Sequence, residues 1–188
     1  MSSESRCRRR LARPVLAVVS VAVALLLAAG APPPHEAFEG QWSLRPKQSS
    51  PVDPWGDLSL EIDVEGSRVT IEHHWSAGRF ASTDSMTIET GGAVNRVPAG
   101  RWLDNRHLNI SIPDRATREV TARWLGDGRT LQVVSRFPVQ TSQGRSSIRI
   151  LNEYRLGPDR QSLALLQLRS TRPRPVHYLF RRPEKEST

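Results

Sequence analysis

Arg123-Trp124-Leu125-Gly126-Asp127-Gly128-Arg129-Thr130-Leu131-Gln132-Val133 is the stretch on which the fold turns. Two alternating runs flank Asp127-Gly128, a dipeptide suited to a type I′ turn, in which both central residues need positive φ. Closing the chain there pairs Gly126 with Arg129, Trp124 with Leu131, Ala122 with Val133 and Val120 with Ser135. One face then gathers the apolar side chains, while Glu119, Thr121, Arg123, Gln132 and Arg136 take the other. Register and pattern agree, and they predict a β-hairpin.

The same design recurs on both sides. Leu58, Leu60, Ile62 and Val64 alternate with polar residues, Gly66-Ser67 fits a two-residue turn, and Val69 to Trp75 returns. Counting outward pairs Val64 with Val69, Ile62 with Ile71, Leu60 with His73 and Leu58 with Trp75 on one face. Asp63 then meets Thr70, Glu61 meets Glu72, and Ser59 meets His74 on the other. Further strands are predicted at Phe38–Leu44, Phe80–Glu89 and Val94–Val97. A hairpin is expected over Arg101–Ile112, with its turn at Asp104-Asn105-Arg106. Ile148–Leu156 and Leu163–Leu168 flank a turn at Gly157–Gln161, and Val176, Tyr178 and Phe180 alternate in a last strand. Arg45–Trp55 reads as a long loop and Gln140–Gly144 as a polar connection. No segment shows a helical apolar period. About ten short strands joined by tight turns give an all-β, antiparallel up-and-down meander, which hides its edges most simply by closing into a barrel. A two-sheet β-sandwich is the alternative.

Residues 1–31 read as a cleaved secretory signal peptide. Arg6, Arg8, Arg9, Arg10 and Arg13 precede an apolar run from Val15 to Ala29, and Ala29-Gly30-Ala31 has the small-x-small form of a cleavage site. The run is shorter than the roughly 20 residues of a membrane-spanning helix, so a membrane would be met only through this segment if it stayed uncleaved. Residues 32–37 form a Pro-rich spacer, 38–182 the barrel and 183–188 a polar tail. The expected location is therefore outside the cytoplasm, periplasmic or extracellular. The single Cys, Cys7, leaves with the signal, so no disulfide or thiol chemistry is foreseen. Removing residues 1–31 takes out five arginines and one glutamate, which leaves 22 basic and 18 acidic residues and a net charge of +4 instead of +8. The remaining arginines are scattered along strands. That pattern lacks the clustered basic patch with interleaved aromatics that nucleic-acid binding wants.

Gly40-Gln41-Trp42 on the first strand, a long first loop and a run of hairpins resemble the start of a lipocalin-like barrel. The repeated aromatic-Leu-turn-Leu units are also similar to secreted bacterial lipocalin-like domains of unassigned function. The resemblance implies that Trp42 closes one barrel end and that a late arginine, Arg181 or Arg182, packs on its ring. The Gly-x-Trp-x-Gly-x-Gly pattern of haem-binding nitrobindin-like barrels is missing, since Ser43 and Leu44 stand in its place, so haem is not expected.

Three groups of residues stand out as candidate sites. Polar side chains interrupt the apolar face at His73, Ser135, Asn152 and Gln167, with Asn152 facing Gln167 if Leu156 pairs with Leu163. Inside a barrel they would orient a small, largely apolar ligand, or else satisfy one another or a trapped water. On the opposite face, Glu61 and Glu72 oppose each other near Asp63 and His74. Such a like-charge pair calls for a divalent cation, a catalytic role, a neighbouring arginine or solvation. Leu151, Leu166 and Leu168 have outward parity and form an apolar patch suited to a homodimer or an envelope protein partner, unless a bulge near Leu165 turns the last two inward. His73 and His74 are adjacent on a strand and point to opposite faces, so they cannot share an ion, and no metal or other cofactor is expected. No nucleophile elbow, phosphate-cradling glycine loop or metal-ligand cluster marks an enzyme. The expected function is that of an exported, non-catalytic binding module. The rival is a structural or interaction domain with a filled barrel, and an enzyme using Glu61, Glu72 and His74 comes third.

Overall fold

The computed structural model describes residues 35–52, 56–100, 111–126 and 128–183. The signal segment, most of the Pro-rich spacer, Trp55, nearly all of the Arg101–Ile112 hairpin with Trp102, Asp127 and residues 184–188 lie outside the described residues. The strands are β1 (Gly40–Leu44), β2 (Asp57–Glu65), β3 (Arg68–Ala77), β4 (Phe80–Glu89), β5 (Val94–Pro98), β6 (Thr117–Leu125), β7 (Thr130–Thr141), β8 (Gly144–Leu156), β9 (Ser162–Arg169) and β10 (Val176–Arg181). Among the described residues helix is confined to two 3₁₀ turns, Glu36–Phe38 and Pro46–Gln48. All ten strands belong to one antiparallel sheet in the order β4-β3-β2-β1-β10-β9-β8-β7-β6-β5. The result is a nearly closed barrel, and the two-sheet sandwich does not occur.

The hairpins form in the registers that the alternation demands. Trp124 pairs with Leu131, Ala122 with Val133 and Val120 with Ser135. Leu58, Leu60, Ile62 and Val64 pair with Trp75, His73, Ile71 and Val69. Because side chains alternate across a sheet, these pairings send one set inward, and Val120, Leu131, Val133, Ile71 and Val69 are fully buried. Three details differ from the sequence expectation. The first strand begins at Gly40 and not Phe38, because Glu36–Phe38 winds into a 3₁₀ turn that buries Phe38 completely. The ladder of the central hairpin ends at Leu125–Thr130, one pair short of Gly126–Arg129, and Gly128 N–H closes the turn on the Leu125 carbonyl. The connection expected at Gln140–Gly144 shrinks to two residues, since β7 and β8 pair as far as Thr141–Gly144.

The seam lies between β4 on one side and β5 and β6 on the other. At one end the backbone closes it, with Gly91 and Gly92 N–H groups both donating to the Ala122 carbonyl. Beside them the Asn95 amide stands in for a strand partner. It accepts from Glu89 N–H at 2.8 Å and donates to the Glu89 carbonyl at 3.0 Å. Further along, side chains bridge the seam instead. Arg118 of β6 donates to Asp84 of β4 through both terminal nitrogens, at 2.8 and 3.1 Å.

One barrel end is plugged by the residues preceding and following the sheet. Trp42 is fully buried and donates its indole N–H to the Phe38 carbonyl at 2.9 Å. Arg182 lies over the Trp42 ring at 4.3 Å and donates to the carbonyls of Glu39 (2.6 Å), Ala37 (2.7 Å) and Arg160 (3.1 Å). Arg181 points outward to Asp159 at 3.7 Å and takes no part. Of the two arginines the resemblance offered, Arg182 alone packs on the tryptophan. The arrangement also accounts for Gly40. Its φ is +107°, and a Cβ there would stand 2.9 Å from Arg182 Nη1, so only glycine fits.

Candidate functional site

Away from that plug, the barrel holds a partly open cavity of about 40 Å³. Its walls combine Leu58, Trp75, Met86 and Phe137 with the polar side chains of His73, Asp84, Arg118, Ser135, Asn152 and Gln167. His73, Arg118, Ser135 and Asn152 each have apolar or aromatic residues two positions away on both sides, so they interrupt the core face, whereas Asp84 and Gln167 stand where that face gives way to Ser82 and Arg169. All four residues marked out by the sequence, His73, Ser135, Asn152 and Gln167, line this one cavity, and all are buried. Asn152 and Gln167 are direct cross-strand partners, as are Val120 and Ser135.

Asn152, Gln167 and His73 are linked in a hydrogen-bonded chain. Arg169 Nε donates to Gln167 Oε1 (2.6 Å), and Gln167 Nε2 donates to Asn152 Oδ1 (2.8 Å). Asn152 Nδ2 donates to the Tyr154 hydroxyl (3.4 Å), which meets His73 Nε2 at 3.0 Å. The His73 ring stacks on Trp75 with centroids 5.3 Å apart. Burial, reinforced by the positive charge of Arg118 and by His74, holds the His73 pKa down at about 3, so the imidazole is neutral at pH 7. Burial also raises the Tyr154 pKa, which keeps its hydroxyl protonated. Burial raises the Asp84 pKa, and the opposing pull of Arg118 offsets only part of that. The two-pronged contact with a guanidinium is the geometry of an ionised carboxylate.

Sequence reading missed Asp84 and Arg118. Asp84 sits in a stretch read only as a polar strand, and Arg118 precedes the apolar run of β6. The signal was available in the parity: Asp84 falls on the face of Met86 and Ile88, and Arg118 on that of Val120 and Ala122. Two buried nitrogens near this cavity lack any hydrogen-bond partner, His73 Nδ1 and Arg118 Nε.

The other candidates lie outside the barrel. Glu61 and Glu72 are cross-strand partners on the outer face, as expected. Glu72 accepts from Ser85 at 2.9 Å and approaches His74 Nε2 at 3.5 Å. Among the described residues no lysine or arginine forms an ion pair with either glutamate, so the arginine compensation considered from sequence does not occur. Ligand atoms of Glu61, Glu72 and His74 lie within 4.8 Å of one another, on an exposed surface. Leu151 pairs with Leu168, and Leu166 with Glu153, in an unbroken ladder. No bulge turns them inward. Val134 continues the row across β7, and Leu168 is 43% exposed. A wider hollow of about 470 Å³ lies beside this row, among outward side chains of β5 to β8 that include Arg123, Arg136 and Arg149.

No family model matches the chain, and no curated protein matches it. Among solved structures it is similar to the fatty-acid-binding protein isolated from Manduca sexta, with 9% sequence identity and a TM-score of 0.45. That match covers 77% of this chain and 98% of the other.

Proposed function

We propose that this chain is an exported, non-catalytic binding module that takes a small ligand into the polar part of its barrel. The observation that carries the reading is the pair of buried, partnerless nitrogens on side chains that line the cavity, next to the paired side chains of Asp84, Asn152 and Gln167. Buried polar atoms in a folded protein are satisfied, and an orphan costs about 1–3 kcal/mol until something fills the space. A cavity of about 40 Å³ is far below the roughly 300 Å³ of pockets for drug-sized molecules. It admits a few waters or a ligand of a few heavy atoms, whose apolar part would lie against Trp75, Met86 and Phe137. A non-catalytic role is supported by the commitment of the reactive groups. His73 is neutral with Nε2 engaged, and Asp84 is clamped by Arg118. Export is supported by the sequence of residues 1–31.

A second reading is favoured by the same small volume. A barrel filled to this degree could serve as a scaffold for the outer Val134–Leu151–Leu168 row, meeting a second copy or an envelope protein. Native mass spectrometry of the protein taken from its own host separates the two. The binding reading expects a small mass adduct that is lost on collisional activation. A bare monomer mass under the gentlest conditions overturns it, and a dimer without adduct selects the second reading.

A further inference from the structure

We infer that the barrel cavity is built for a neutral oxygen acceptor, such as the carbonyl of a ketone, ester or amide, and discriminates against a carboxylate. This rests on the binding reading above and specifies its ligand. The direction of the hydrogen-bond chain decides the matter. Asn152 Nδ2 is a donor, so the Tyr154 hydroxyl accepts from it and keeps its own hydrogen for His73 Nε2. The reverse assignment, with Nε2–H donating, would strand both the hydroxyl hydrogen and the Nδ1 lone pair. The neutral imidazole therefore carries its hydrogen on Nδ1, where it has no partner. Arg118 spends Nη1 and Nη2 on Asp84 and leaves Nε–H without one. Both orphans are thus N–H donors, and both belong to side chains that line the cavity. A ligand that reaches either nitrogen has to accept a hydrogen bond from it.

Charge then separates the acceptors. His73 and the Tyr154 hydroxyl are uncharged, and the charge of Arg118 is answered by Asp84. Because Asp84 already pairs with Arg118, an incoming carboxylate would shed its water without gaining a free counter-charge there, a cost that a neutral carbonyl does not carry. Among the described residues that line the cavity the other cation is Arg169, half-buried, whose Nε donates to Gln167. A carbonyl oxygen can accept from either donor at a smaller desolvation cost. Ser135, also buried in the wall, adds a hydroxyl that can donate or accept.

The test compares butyramide with butyrate, which match in size and differ in charge, by NMR titration of the purified protein at neutral pH. The inference expects saturable shifts at His73 and Trp75 with butyramide, and a dissociation constant at least about tenfold weaker for butyrate. In Asp84→Asn Arg118 loses its counter-charge and can pair with an incoming carboxylate, so the preference is expected to narrow or reverse. If that variant fails to fold, the comparison on the unaltered protein still decides. Equal or tighter binding of butyrate there overturns the inference and leaves the binding reading standing. Binding of neither probe also overturns it, and the adduct seen or not seen by native mass spectrometry then judges the binding reading separately.

Discussion

Replacing His73 by Gln should change how stability depends on pH more than it changes stability at neutral pH. The ring is buried, hydrogen-bonded through Nε2 and has a pKa of about 3, against 6.5 when unfolded. Between these values the unfolded chain takes up a proton that the folded chain refuses, so stability is full above pH 6.5 and falls as the pH drops toward 3. The loss is about 1.4 kcal/mol per pH unit in that window, hence about 2 kcal/mol by pH 5 and about 5 kcal/mol at most. Gln can still hydrogen-bond the Tyr154 hydroxyl but does not titrate. Urea unfolding followed by tryptophan fluorescence, at about pH 7.5 and about pH 5, gives the difference directly. The unaltered protein should lose about 2 kcal/mol more than the variant between the two conditions. Parallel losses would refute the reasoning, because they would mean that His73 accepts its proton in the folded barrel as readily as in the unfolded chain.

Three further outcomes follow from the geometry. Arg182→Ala removes hydrogen bonds to three carbonyls and the cation–π contact on Trp42, and should cost about 2 kcal/mol or more in denaturant unfolding, whereas Arg181→Ala should stay within about 0.5 kcal/mol. Asp84→Ala leaves Arg118 buried and uncompensated, with an expected cost of about 3–5 kcal/mol; adding Arg118→Met should recover most of it, because an apolar pair replaces a desolvated ion pair. Glu61→Gln removes one of two directly opposed carboxylates and should raise stability by a few tenths to about 1 kcal/mol, less at high salt; a loss of stability would show that the pair is compensated.

The strand pairings were legible because a period of two leaves each hairpin a single register that sorts oily from wet. Leu60–His73, Trp124–Leu131 and Asn152–Gln167 are all paired as the sequence demands. The first turn, Glu36–Phe38, was not legible as helical, since three residues carry no period and Phe38 is apolar in either conformation. Nor could the sequence choose between Arg181 and Arg182. Their parity differs by one residue, and the choice depends on where β10 stops pairing. Asp84 and Arg118 were hidden by distance. Parity puts each on the inward face of its own strand, but only the seam, which brings β4 against β6, shows that the two pair. Interior polar groups read one strand at a time therefore gave His73, Ser135, Asn152 and Gln167 but missed the ion pair that completes their cavity.

The side-chain nitrogens of His73, observed in a long-range ¹H–¹⁵N NMR spectrum, bear most directly on the claim that this barrel presents unspent donors to a ligand. A neutral ring with its hydrogen on Nδ1, unchanged as the solution is acidified through pH 6.5, and shifted by butyramide, is the predicted result. A hydrogen on Nε2, or an imidazolium already forming near neutrality, would contradict it.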